Sequence, residues 1–202
     1  MELTQPVDWI GKNFIGYAMN AEFSDENARQ LVTLMQAIQQ TYNDGVFCTP
    51  KKSLHITLMD WVAPLVDYDG HDKDALFKKL RPEYDAAITE ILALFSPITV
   101  RFDTLALSPT TIYIVGHDDG QFQAIREQFL AKVHLVPGTK LPPTIIHSSL
   151  ARFTKPLKIA DVEAFLAAKS IELTQQIPAF RLLHQTKEPT LEFTTVKRYP
   201  LA

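Results

Sequence analysis

Cysteine is nearly absent: Cys48 is the only one in 202 residues. No intrachain disulfide can form, which fits a reducing compartment. No apolar run approaches the roughly 18 residues that a membrane span requires. The opening MELTQPVDWIGK lacks the apolar core, about 7–15 residues long, of a secretion signal. We therefore expect a cytoplasmic protein without a membrane partner. A basic surplus is missing too, since 20 Lys and Arg face 23 Asp and Glu for a formal charge of −3. Long nucleic acid usually demands a basic surface, so an extended duplex is not expected as a partner, whereas a short nucleotide or an RNA end stays open.

What is present is ordinary globular composition. The 46% hydrophobic and 21% charged residues suffice for a sizeable core. With no long linker and no low-complexity segment, residues 1–202 read as one domain of two lobes. FIGYAMN (Phe14–Asn20) reads as a buried strand, and Ser24 caps a helix whose apolar residues run from Ala28 to Ile38. YNDG (Tyr42–Gly45) stops that helix, and a strand, Ser53–Asp60, follows. A helical region from Lys73 to Phe95 is expected to divide at Pro82, before a strand over Pro97–Ser108.

The order then restarts. Thr110–Gly116 is a β-branched strand, Phe122–Val133 a helix, and Thr144–Phe153 a strand. A helix near Ile159–Lys169 and strands near Ile177–Gln185 and Thr190–Arg198 complete the chain. Two halves thus share one pattern: strand, helix, loop, histidine strand, helix, strand. Helices alternating with strands predict α/β or α+β architecture.

The histidine strands carry the chemistry. LHITL (Leu54–Leu58) and IHSSL (Ile146–Leu150) both read apolar, His, any, Ser/Thr, Leu. Residues two apart on a strand share a face, so His55 joins Thr57 and His147 joins Ser149. Leu54, Ile56, Leu58, Ile146 and Leu150 point the other way, into a core. One such histidine on a strand is usually structural. Two, at matching places in a repeated pattern, point to a shared task. Phosphodiester cleavage needs a base for the nucleophile and an acid for the leaving oxygen, and imidazole suits both near neutral pH. The hydroxyls would hold the non-bridging oxygens. Neither motif has a carboxylate or cysteine completing a usual metal site, so no metal and no cofactor is expected.

These paired His-x-Thr and His-x-Ser motifs resemble the 2H phosphoesterase superfamily, which includes 2′-5′ RNA ligase-like proteins and cyclic nucleotide phosphodiesterases. HSSLAR also resembles the second family motif, in which Leu, Ala and Arg commonly follow the hydroxyl. The resemblance spans nearly the whole chain. It implies an α+β fold of two pseudo-symmetric lobes, each a mostly antiparallel sheet flanked by helices, around a central groove. It also implies His55 and His147 as catalytic, and Thr57 and Ser149 as phosphate-binding. The expected activity is metal-independent hydrolysis of a cyclic or 2′-linked phosphodiester of a nucleotide or RNA end, a 2′,3′-cyclic phosphate for example. The rival readings are a non-catalytic binder of nucleotides or RNA ends and a metal-dependent hydrolase. Which histidine is acid, the natural substrate and the oligomeric state stay open.

Four further residues could touch substrate. Arg152 lies five positions beyond His147, so strict alternation puts it on the far face, where an ion pair is favoured over a phosphate contact. Asp60 holds the equivalent place after His55. Lys52, beside Lys51, could draw in an anion or merely be solvated. Tyr17 and Tyr113, on the opening strand of each half, could stack on a base, although core packing is the stronger reading.

Overall fold

In the computed structural model, which describes residues 2–202, the chain runs β1 (Asn13–Glu22), α1 (Asp25–Tyr42), β2 (Val46–Cys48), β3 (His55–Val62), α2 (Lys73–Leu92) and β4 (Ile98–Ser108). It continues through β5 (Thr111–His117), α3 (Gln121–Lys132), β6 (Ile146–Phe153) and α4 (Ile159–Ala167). The last three strands are β7 (Leu173–Ile177), β8 (Ala179–Lys187) and β9 (Glu192–Pro200).

Local chemistry accounts for the helix starts. Ser24 Oγ accepts from the Asn27 amide at 3.2 Å, and Asp72 Oδ1 accepts from that of Ala75 at 2.7 Å. Asp118 receives the amides of Gly120 and Phe122 at the head of α3. Each satisfies a donor that a helix start otherwise leaves orphaned. Two expectations need correction. Pro82 lies inside an unbroken α2 rather than dividing it. The stretch read as one strand near 177–185 belongs to two strands, because Pro178, which has no amide hydrogen to offer a ladder, separates β7 from β8.

The strands form two antiparallel sheets, ordered β3-β1-β8-β9 and β2-β6-β5-β4-β7. Laid side by side, β3 corresponds to β6, β1 to β5, β8 to β4 and β9 to β7. The α+β, two-lobed, pseudo-symmetric architecture expected from the sequence is therefore present. The two halves, however, do not each build a lobe. β2 and β4 leave the first half for the second sheet, while β8 and β9 leave the second half for the first. The helices exchange likewise: α1 packs on β2 and β6, whereas α3 packs on β3 and α2. One apolar cluster, including Trp61, Phe102, Phe129 and Phe153, runs through both lobes. Each such side chain removed from water contributes roughly 1.5–3 kcal/mol, so the sheets are held together mainly by this shared core.

Candidate active site

β3 and β6 lie against each other between the lobes, bringing the two histidine motifs into one place. Their burial follows the same order along eight positions each, Leu54–Trp61 and Ile146–Phe153: buried, half-buried, buried, half-buried, buried, buried, half-buried, buried. The half-buried positions are His55, Thr57 and Asp60 on one strand, and His147, Ser149 and Arg152 on the other.

The doubled buried step breaks the alternation, and its cause is visible in the strand pairing. On β3, Asn20 pairs with Thr57 and Met19 with Met59, so Leu58 is skipped. On β6, Tyr113 pairs with Ser149 and Ile112 with Ala151, so Leu150 is skipped. Each is a β-bulge directly after the hydroxyl residue, and an extra residue there flips the parity of the residues that follow it. Leu58 with Met59, and Leu150 with Ala151, all go into the core. Asp60 and Arg152 come back to the groove. The expectation that strict alternation turns Arg152 away is thus overturned.

His55, Thr57, Asp60, His147, Ser149 and Arg152 line a single groove of about 450 Å³. His55 Nδ1 donates to the Ser53 carbonyl at 2.7 Å; a carbonyl only accepts, so the lone pair of the neutral ring sits on Nε2. Ser53 is itself fixed by donating its hydroxyl to the Thr190 carbonyl at 2.8 Å. Burial pushes the His55 pKa down to about 4, against the pull of the Ser53 bond, with the charges of Arg181, His147 and Arg152 adding to the depression. Burial lowers His147 as well, followed by the charges of Arg152 and Arg126. Its Nδ1 is buried and finds no hydrogen-bond partner among the described residues.

Arg152 reaches back along the groove. Its Nη2 donates to Ser149 Oγ at 3.2 Å, its Nη1 donates to Thr111 Oγ1, and its guanidinium lies 5.3 Å from the Trp9 ring centre. Because the Ser149 oxygen accepts from Arg152, its own hydrogen is left to donate elsewhere. No ion pair engages Arg152 among the described residues, which corrects the expected ion-pair role.

The other candidate contacts divide. Tyr17 turns from the groove into the core, donating to Asp74 at 2.6 Å and stacking on Phe77 at 3.6 Å and on His184 at 4.8 Å. It is not a substrate contact. Tyr113 stands across from Ser149 and meets the His147 ring edge-on at 5.7 Å. Lys52 lines a separate hollow with Glu22 and Arg181, and Lys51 pairs with Asp25 at 2.8 Å.

Sequence reasoning missed two participants. Arg126, only 2% exposed, donates to the carbonyls of Leu58 and Thr57, each at 2.9 Å, and to that of Ile145 at 3.4 Å. It ties the β3 bulge to the entry of β6. Glu188, in the turn between β8 and β9, also lines the groove. A lone Arg on a helix and a Glu in a hairpin turn carry no periodic signal. The bulges did: Leu-Met-Asp-Trp and Leu-Ala-Arg-Phe both set two apolar residues before a charge and an aromatic. Among the described residues, no group of three His, Cys, Asp or Glu is placed to hold a metal ion, and no helix is long and apolar enough to cross a membrane.

No protein-family model matches the sequence, and no curated protein does. Solved structures do. The protein TT0787 of Thermus thermophilus superposes with a TM-score of 0.68 at 16% identity, over 92% of this chain and 97% of its own. Escherichia coli LigT complexed with phosphate gives 0.58 at 11% identity, over 95% and 99%. The PDE domain of MHV ns2 gives 0.53 at 12% identity, over 84% and 98%. The chain shares the fold of these proteins. Identity this low speaks for the fold alone, and what the groove does rests on its own residues.

Proposed function

We propose that this protein is a phosphodiesterase that hydrolyses a cyclic or 2′-linked phosphodiester of a nucleotide or RNA end. The observation that carries the reading is the repeated pattern itself: two imidazoles and two hydroxyls, presented by equivalent strands on the wall of one groove. In this mechanism water attacks phosphorus opposite the departing ribose oxygen. His55 Nε2, the lone-pair nitrogen, takes the proton from water; protonated His147 gives one to the ribose oxygen as its bond to phosphorus breaks. Thr57 and Ser149 donate to the non-bridging oxygens, and Arg152 supports Ser149 while adding positive charge beside the phosphate. The reverse direction, ligation, exchanges the two histidine roles. LigT, which shares this fold, has been solved complexed with phosphate and with 3′-AMP, which supports a nucleotide or phosphate ligand here.

Turnover of a panel of nucleoside 2′,3′-cyclic phosphates and 2′-5′ oligoadenylates, with and without chelator, tests the proposal. Release of a nucleoside monophosphate in chelator supports it. Tight binding without turnover would make the protein a recognition module instead.

A further inference from the structure

The groove is not uniformly suited to an anion. Glu188 is only 6% exposed, yet its carboxyl lines the cavity, and its buried Oε1 has no hydrogen-bond partner among the described residues. The backbone around it is fixed: its amide donates to the Lys12 carbonyl at 3.1 Å, and its carbonyl accepts from Gly11 at 2.7 Å. Thr190 adds a bond to Gln185 at 3.1 Å and receives the Ser53 hydroxyl. A carboxyl held this firmly, with a bare oxygen, destabilises a fold unless something else completes it.

Asp60 completes an acidic floor. It enters the groove through the β3 bulge, about four strand rises or roughly 13 Å along the backbone from His55, beyond the reach of a phosphate held by both histidines. Burial raises Asp60 to about 6 and Glu188 to about 7, and in Glu188 the neighbouring Asp60 charge adds to the rise. Arg152 and Lys140 act on these carboxyls without bonding to them. Pro64, Leu141, Pro143 and Pro189 form apolar walls around the same space, with Leu141 73% exposed at the rim.

We propose that Asp60 and Glu188 form a second subsite, which accepts hydrogen bonds from the amino edge of a nucleobase held between those apolar walls. A flat ring with N–H groups at its edge suits apolar sides and a carboxyl floor. A cationic ligand suits them less, since Arg152 and Lys140 already supply positive charge. This subsite deepens the nucleotide reading above, and it divides the groove: phosphate at the histidine end, base at the carboxyl end.

Guanosine differs from inosine by one amino group, so the test compares calorimetric binding of guanosine 3′-monophosphate, inosine 3′-monophosphate and inorganic phosphate. We expect wild type to favour guanosine over inosine about tenfold, the worth of one hydrogen bond to a charged acceptor. Glu188→Met and Asp60→Asn should bring that ratio near one and leave phosphate affinity within about twofold. Glu188→Met should also raise the thermal midpoint, because it removes an unpaired buried carboxyl; a structural role would lower it. An unchanged ratio in both variants, or phosphate affinity falling in step with nucleotide affinity, would overturn the subsite. Discrimination that persists in a protein unable to hydrolyse any cyclic phosphate would support the subsite and refute the reaction instead.

Discussion

The two motif strands share a burial pattern and differ in what surrounds it. Each offers a histidine, a hydroxyl, a bulge and a returning charged residue, but that residue is Asp60 on β3 and Arg152 on β6. The residue two before each histidine differs in use as well. Ser53 gives its carbonyl to His55 at 2.7 Å, whereas the Ile145 carbonyl, which pulls the His147 pKa upward, is shared with Arg126. On the proposed reading, the symmetric elements serve a phosphate from both sides. The asymmetric ones set the two rings apart, since His55 Nδ1 is held at 2.7 Å by the Ser53 carbonyl and His147 Nδ1 has no hydrogen bond of that geometry among the described residues.

Removing either histidine breaks the symmetric part and has the largest expected effect. His55→Ala or His147→Ala should lower turnover by about 10²–10⁴-fold. The double variant should be little worse than the poorer single one, because acid and base act in one step. Steady-state kinetics on a 2′,3′-cyclic nucleotide decides it; near-normal turnover in one variant would remove that histidine from the reaction.

The hydroxyls come next. If they hold the non-bridging oxygens as proposed, Thr57→Val and Ser149→Ala each delete one donor, for which a loss on the order of 10² in kcat is expected. The pair should not be equal. Ser149 Oγ also accepts from Arg152, so its removal frees the guanidinium from its nearest support. Ser149→Ala should therefore cost more, and equal losses would show that Arg152 holds its place through Thr111 and Trp9 alone.

How much of this is legible in the sequence follows from where each signal resides. The histidine motifs are local and repeated, so spacing alone finds them. The bulges are written in Leu-Met-Asp-Trp and Leu-Ala-Arg-Phe, but strict alternation ignores them and sends Arg152 to the wrong face. β4 joins the second sheet through an ordinary hairpin to β5, with Ser108 opposite Thr111. The docking of β8 on β1 and of β2 on β6, by contrast, is not legible, because strand pairing across more than a hundred residues leaves no local period. Glu188 is hidden for the same reason: a turn residue becomes a groove residue only when β8 docks on β1.

Arg126 links the two strands, and its loss should be read in stability. Three carbonyls, those of Thr57, Leu58 and Ile145, would lose their donor in a buried setting. Arg126→Met should destabilise by roughly 3 kcal/mol, measured as a lower urea midpoint. Lysine keeps the charge but not the planar fork that meets two adjacent carbonyls, so Arg126→Lys should recover only part of it. Full recovery by lysine would mean that charge alone, rather than the fork, holds the β3 bulge.

The pH profile tests direction with the smallest expected effect. His55, lowered to about 4, is neutral and able to accept a proton above that pH. His147 is lowered from 6.5, so its protonated, donating form is lost as pH rises through a value below 6.5. The product of the two fractions makes kcat/KM a bell with its optimum on the acid side of neutrality, more than about tenfold higher there than at pH 7.5. A bound phosphate diester adds negative charge beside both rings and raises both pKa values, so the kcat profile should lie at higher pH than that of kcat/KM. Replacing Arg152 by Met removes a positive charge that depresses both histidines, which should shift the whole bell upward. A bell that stays in place in Arg152→Met would show that burial alone sets these values, and that the charge difference between the two strands tunes binding rather than proton transfer.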